Sequence, residues 1–111
     1  MKLNFERTHG VVIVTSCARV DGNNAGAFQR ARCEIVQDGD RALVVDFEPL
    51  KHISSAGLRA ILLTAKNLDK RAVGFGLCEI EPRVRRIFSI GVDRVVSIHT
   101  TRKEAVASFS D

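Results

Sequence analysis

The sequence predicts an α/β domain organised around a mainly parallel sheet. Two observations carry that reading. The runs Val11-Val-Ile-Val14 and Ala42-Leu-Val-Val45 are continuously apolar, as expected for strands covered on both faces. Strand-like and helix-like segments then alternate along the chain, the pattern of βαβ units. With 111 residues, the chain suits one compact domain over 1–111 and is too short for two.

The elements follow in order. Met1 to Thr8 alternates weakly, with Leu3 and Phe5 on one side, and reads as an antiparallel edge strand; Gly10 marks a turn. The β-branched run from Val11 continues as a buried strand to about Cys17. Asp21-Gly-Asn-Asn24 is a turn offering helix caps. A helix fits Ala25 to Val36, with Ala25, Phe28, Ala31 and Ile35 on one face, and Asp38-Gly-Asp40 ends it. Ala42 to Val45 is the next strand, closed by Asp46. After a polar turn, Leu58, Ile61, Leu62, Ala65 and Leu68 recur at helical spacing as a core stripe. Ala72 to Cys78 reads as a core strand whose glycines, Gly74 and Gly76, signal close approach of a neighbour. Pro82 suits the first position of a helix with Val84, Ile87 and Phe88 on its apolar face and Gly91 at its end. Arg94 to Ile98 forms a short last strand, and Thr101-Arg-Lys-Glu104 resembles a capping box for a terminal helix through Phe109. The sheet is therefore expected to hold four to five strands, with about four helices.

Composition narrows the class. Apolar residues make up 45% and charged residues 27%, ordinary for a soluble fold. No run spans a bilayer, so no membrane insertion is expected. The first residues lack the apolar core and small-residue site of a secretory signal, which makes a cytoplasmic protein the default. Cys17, Cys33 and Cys78 are widely spaced and suit reduced, packed thiols rather than a metal knuckle or redox pair. The net charge of +4 comes from scattered bases, apart from Arg83, Arg85 and Arg86, and the chain has no Tyr or Trp. Without aromatic–basic interleaving, nucleic acid is not an expected partner.

An enzyme is not expected either. The sequence has no Gly-rich phosphate loop followed by Lys, no GxSxG elbow and no paired His on a helix. His9, His52 and His99 stand apart, and Ser54 and Ser55 have no assignable His and Asp partners. No catalytic residue, metal or cofactor is assigned. The segment from Asp46 to Gly57 holds more promise. Ser54 or Ser55 can serve as N-cap of the helix that contains Leu58 and Ile61. Gly57 reads as a close-packing residue of its first turn. The same serine hydroxyl, if exposed, is also a place for a phosphate, which would add about −1.5 to −2 charges. Helix N–H groups and the macrodipole would stabilise it there.

The stretch Asp46-Phe-x-x-Leu-x-x-Ile-Ser-Ser-Ala-Gly-Leu58 closely resembles the signature of STAS domains, especially bacterial anti-sigma factor antagonists. Ala18-Arg-Val-Asp21 is similar to that family's Gly-Glu-Leu/Val-Asp turn. Glu81-Pro-Arg-Val-Arg-Arg-Ile-Phe88 resembles its Pro-x-Val-x-Arg/Lys-x-Phe helix. The resemblance implies a single non-catalytic STAS domain. It would bind an anti-sigma factor that is also a serine kinase of the histidine-kinase-like ATPase fold, and a PP2C-type phosphatase would reverse the kinase's action. It further implies Ser55 as phospho-acceptor, since Gly57 matches the family glycine and Ala56 the second Ser/Thr. Asp21, Ser54, Ser55, Ala56, Gly57, Arg59 and Leu63 are the implied partner-binding residues. Two positions depart from the pattern. Ser54 stands where the family has an acidic residue, and Arg19 where it has Glu, leaving Asp21 and Asp46 as the expected acidic neighbours. Some free-standing proteins of this kind are instead subunits on the ATPase of lipid-transport ABC systems, and that is the alternative role.

The helix after the serines adds one feature. Ala56, Ala60, Leu63 and Asn67 share a face away from the core stripe. Leu63, between Arg59 and Lys66, is either an exposed contact for a partner or covered by a neighbouring helix of the same domain.

Overall fold

A computed structural model describes residues 3–88 and 96–109. Its main sheet has the order β1-β2-β4-β6-β7, formed by β1 (Phe5–Thr8), β2 (Val11–Thr15), β4 (Ala42–Asp46), β6 (Gly74–Cys78) and β7 (Ser97–His99). β1 pairs antiparallel with β2, and every other neighbour in that sheet is parallel. His9 and Gly10 both take positive φ in the tight β1–β2 turn, as a two-residue hairpin requires. The helices are α1 (Ala25–Ile35), α2 (Ser55–Lys70), α3 (Pro82–Phe88) and α4 (Arg102–Phe109). The expected α/β architecture, with an antiparallel N-terminal edge and a parallel interior, is thus the observed one.

Strand alternation divides the core between two faces. Val12, Val14, Leu43, Val45, Phe75 and Leu77 point to one side, where they pack with Phe28, Ile61, Leu68, Val84 and Phe88 of α1, α2 and α3. Val11, Ile13, Ala42, Val44 and Cys78 point to the other, against Ala105, Val106 and Phe109 of α4. Both faces are covered, which is why these strands are apolar without interruption. A Cβ on Gly74 would come within 2.7 Å of the Phe109 ring, and one on Gly76 within 2.9 Å. The close neighbour expected at these glycines is therefore α4.

The caps explain where helices begin and stop. Thr101 Oγ1 accepts from the Glu104 N–H at 3.1 Å, one half of the expected capping box. Arg102 then ties α4 to the sheet, with its Nε 2.9 Å from the buried Asp46 carboxylate, a 2.6 Å ion pair to Glu6 and a contact to Thr15 Oγ1. At the end of α2, Ala72 takes a left-handed φ of 57° while the Val73 N–H returns to the Leu68 carbonyl, a Schellman-type stop without the usual glycine.

Several expectations need correction. A second, two-stranded parallel sheet joins β3 (Arg19–Val20) to β5 (His52–Ile53), where the sequence suggested only turns. Strands this short carry no periodicity, and their pairing is decided by tertiary contact. Leu62, placed in the core stripe of α2, is 37% exposed. Ala60, placed on the outward face, is buried together with Thr64, because α1 packs on that side of α2. The buried face of α1 also includes Arg32, which is fully buried. Gly91 and Arg94, the expected end of the third helix and start of the last strand, lie outside the described residues.

Candidate functional site

The N-terminus of α2 is built by the small β3–β5 sheet. The Ser54 N–H donates to the Val20 carbonyl at 2.9 Å, extending the pairing of Val20 with Ile53. Ser54 holds extended backbone angles and is the N-cap, its Oγ accepting from the Gly57 N–H at 3.3 Å. Gly57 is buried against this sheet. A Cβ there would lie 2.6 Å from Ile53 Cγ1 and 2.9 Å from the Val20 carbonyl oxygen. The glycine therefore allows the first turn of α2 to sit directly on β3 and β5.

Ser55 is the first residue of α2 and is exposed. The two serines thus divide the tasks that the sequence left open between them: Ser54 caps the helix, and Ser55 presents its hydroxyl to solvent. The first turn of α2 contains no acidic residue. Its unpaired N–H groups and the positive end of its dipole face outward without internal neutralisation. One turn further on, Arg59 is exposed as well.

Asp21 follows β3 directly and reaches the same end of the domain. It organises the turn into α1. Its carboxylate accepts from the Asn23 N–H at 2.9 Å and its own N–H donates to Asn24 Oδ1 at 2.8 Å. Arg19 pairs with Asp21 at 3.5 Å. Asp46 does not belong to this site. It projects to the α4 face and is held by Arg102 and by the Glu48 N–H, so Asp21 is the expected acidic neighbour that remains. Ala56 is half-buried beside Ser55. Leu63 is 41% exposed, which excludes coverage by a neighbouring helix, but it stands two turns along α2 from Ser55. The structure thus gathers Asp21, Ser54, Ser55, Ala56 and Gly57 at one end, with Arg59 at its margin and Leu63 apart. Nothing in residue spacing announced Leu62, which joins Leu63 on the surface.

Elsewhere among the described residues Ser108 Oγ lies 3.4 Å from His99 Nε2 while also donating to the Ala105 carbonyl at 2.8 Å. Burial, with Asp46 and Glu79 nearby, pushes the Cys78 thiol up to about 12, far from a reactive thiolate. Burial raises the Cys33 thiol too. No cluster of metal-ligating side chains occurs among the described residues.

Residues 2–105 match the family model for the STAS domain. The chain belongs to the STAS domain family. The domain is accordingly a non-catalytic regulatory module. BtrV of Bordetella bronchiseptica, a protein named for anti-sigma factor antagonism, is 36% identical over 110 residues, covering 98% of this chain and 95% of that one. An anti-sigma factor antagonist from Mycobacterium paratuberculosis has a crystal structure that superposes with a TM-score of 0.86 at 27% identity, over 99% of this chain and 94% of the other. SpoIIAA of Bacillus, solved in a phosphorylated form, shares the fold with a TM-score of 0.70 at 19% identity, over 96% and 98% of the two chains. These matches place this STAS domain with the anti-sigma factor antagonists.

Proposed function

We propose that this STAS domain is a phosphorylation-switched anti-sigma factor antagonist acting in the cytoplasm. Unphosphorylated, it captures an anti-sigma factor that is also a serine kinase of the histidine-kinase-like ATPase fold. Transfer of phosphate to Ser55 ends the capture, and a PP2C-type phosphatase restores it. The observation that carries the reading is the exposure of Ser55 at the start of α2 while Ser54 is occupied as the cap. Names among the relatives support the antagonist role, and a protein of the same fold exists in a phosphorylated state.

The physical switch needs little energy. A phosphate on Ser55 would be held by the α2 N-terminus with about 0.3–1 kcal/mol of dipole stabilisation, and up to about 2 in a sheltered geometry. The same charge would meet any acidic or apolar partner surface with repulsion and desolvation cost. About 1.4 kcal/mol already changes affinity tenfold. Asp21, Ser54, Ser55 and Ala56 form the proposed contact surface around the serine, above Gly57, whose burial against β3 and β5 leaves it a packing role instead of a contact, with Arg59 and Leu63 extending it along α2.

The test is recovery of the partner from the native host, followed by incubation with ATP and mass spectrometry of the peptide spanning Lys51 to Arg59. Phosphate on Ser55 that disappears in Ser55→Ala but persists in Ser54→Ala is the expected result. Ser55→Glu should weaken capture by about tenfold or more. Equal capture by Ser55→Glu and wild type would defeat the switch. Recovery of a lipid-transport ABC ATPase, with Ser55 unmodified, would instead select the subunit role.

A further inference from the structure

α2 presents a second surface well away from its capped end. Arg59, Leu63, Lys66 and Lys70 follow one another at i, i+4, i+7 and i+11, so they form one row along the exposed side of the helix. Leu62 lies beside Leu63, and both leucines are exposed. A groove of about 540 Å³ runs there, lined by Arg59, Leu62, Leu63, Ala65, Lys66 and Asp69. The cations of this row differ from those held in ion pairs elsewhere in the domain. Arg7, Arg19, Arg83 and Arg102 each hold a carboxylate, as does Lys51. Arg59, Lys66 and Lys70 have no carboxylate partner among the described residues. The helix therefore exposes apolar surface bracketed by unneutralised positive charge.

We propose that this groove docks an acidic amphipathic helix of a partner protein. Aliphatic side chains of that helix enter beside Leu62 and Leu63, and its carboxylates meet Arg59, Lys66 and Lys70. This is helix-in-groove recognition. Charge complementarity selects the occupant. A second copy of this chain would bring the same three cations against themselves, which opposes self-association. A bilayer takes up a broad apolar face, whereas only two exposed leucines lie here, with Asp69 among the lining residues.

The inference deepens the proposed function and rests on it in one respect, that α2 faces a partner. It adds the chemistry of that partner and a separation of sites. Ser55 and Leu63 are eight residues apart on one helix, about 12 Å along its axis. Screening in physiological salt has a length of about 8 Å. Arg59, about 6 Å from Ser55, lies within that length, whereas Leu63, Lys66 and Lys70 lie beyond it. A phosphate on Ser55 thus leaves most of the groove able to hold its ligand, and the modified domain keeps a docking function that the switch does not erase.

The experiment is an NMR titration of the isotope-labelled domain with two synthetic amphipathic helices. Both carry leucines at i, i+3, i+4 and i+7, one with glutamates and the other with lysines on its polar positions. The glutamate peptide should shift amides confined to 59–70 and bind at least about tenfold more tightly than the lysine peptide. Leu63→Asp should abolish the shifts, and Arg59→Glu with Lys66→Glu should reverse the preference. Ser55→Glu should change the affinity by less than about twofold. Absent shifts in 59–70, equal binding of both peptides, or indifference to Leu63→Asp would each overturn the proposal. So would dimers in ultracentrifugation that Leu63→Asp dissolves, or phosphatidylserine vesicles that shift the same amides more strongly than the glutamate peptide. If Ser55→Glu abolished peptide binding, the separation of sites would be wrong. If the peptide bound as expected while no kinase modified Ser55, only the phosphorylation switch would fall.

Discussion

Replacing Arg32 with methionine should make this domain more stable. Arg32 is fully buried between α1 and α2. Its Nη2 donates to Thr64 Oγ1 at 3.0 Å and reaches the Ala60 carbonyl only at 3.5 Å. Nε and Nη1 are buried without a partner. The guanidinium lies 4.3 Å from the centre of the Phe28 ring. Burial lowers its pKa well below the ordinary guanidinium value, to about 10, a difference that penalises the folded charged state by roughly 3 kcal/mol. Methionine keeps most of the apolar stem and fills irregular space. The change forfeits a cation–π contact, about 1–2 kcal/mol when desolvated, and a hydrogen bond of about 1 kcal/mol. Thr64 remains satisfied because its hydroxyl donates to the Ala60 carbonyl at 2.8 Å. The balance favours Arg32→Met by up to about 1 kcal/mol, or a rise in Tm of at most roughly 3–6 °C for a domain of this size.

The pH dependence follows from linkage. A base whose folded pKa is depressed is protonated more fully in the unfolded chain between its folded value, about 10 here, and the ordinary guanidinium value. Its penalty is therefore complete below that window and fades as pH rises through it. The stability gap between Arg32→Met and wild type should stay level from neutral pH to about pH 9 and close above about 10. Guanidinium titrations at several pH values, with m-values compared, measure both effects. A variant that folds with an unchanged m-value yet loses 1 kcal/mol or more, on the order of a net hydrogen bond, would refute the account of Arg32 as a costly buried cation.

Three further outcomes are expected. Gly57→Ala should cost about 1–3 kcal/mol in denaturant titrations, because its Cβ would meet the Val20 carbonyl oxygen at 2.9 Å and a backbone atom cannot swing aside. Asp46→Ala should destabilise by about 2 kcal/mol, below the usual cost of breaking a buried pair since Arg102 is partly exposed, and proteolysis should then reach α4 first. Ala72→Gly should raise stability by roughly 0.5–1 kcal/mol, seen calorimetrically, by relieving the left-handed φ of 57° at the end of α2.

Local chemistry alone accounts for much of this protein. The apolar runs at Val11 and Ala42 require a sheet with two covered faces, because such segments cannot be solvated cheaply. The serines before α2 and Thr101 before α4 announce helix starts through the hydrogen bonds that a hydroxyl can make nearby. Gly74 and Gly76 announce a close neighbour, though not that it would be Phe109. What these signals share is that the cause and its effect lie within a few residues.

Other features depend on elements distant in the chain. Whether Ser54 or Ser55 caps α2 depends on where β5 enters the helix, and that is fixed by its pairing with β3, more than thirty residues earlier. Helical spacing alone misassigned Ala60 and Leu62 because periodicity defines faces without saying which neighbour arrives at each. α1 came to lie over Ala60 and left Leu62 open. Arg32 is buried for the same reason, since the approach of α2 closes over a side chain that the sequence would leave in water. Asp46 was drawn to the α4 side by strand alternation and by an arginine fifty-six residues away. Spacing within a segment sets its shape, but exposure and partnership are properties of pairs of segments, so they emerge only when the chain packs on itself.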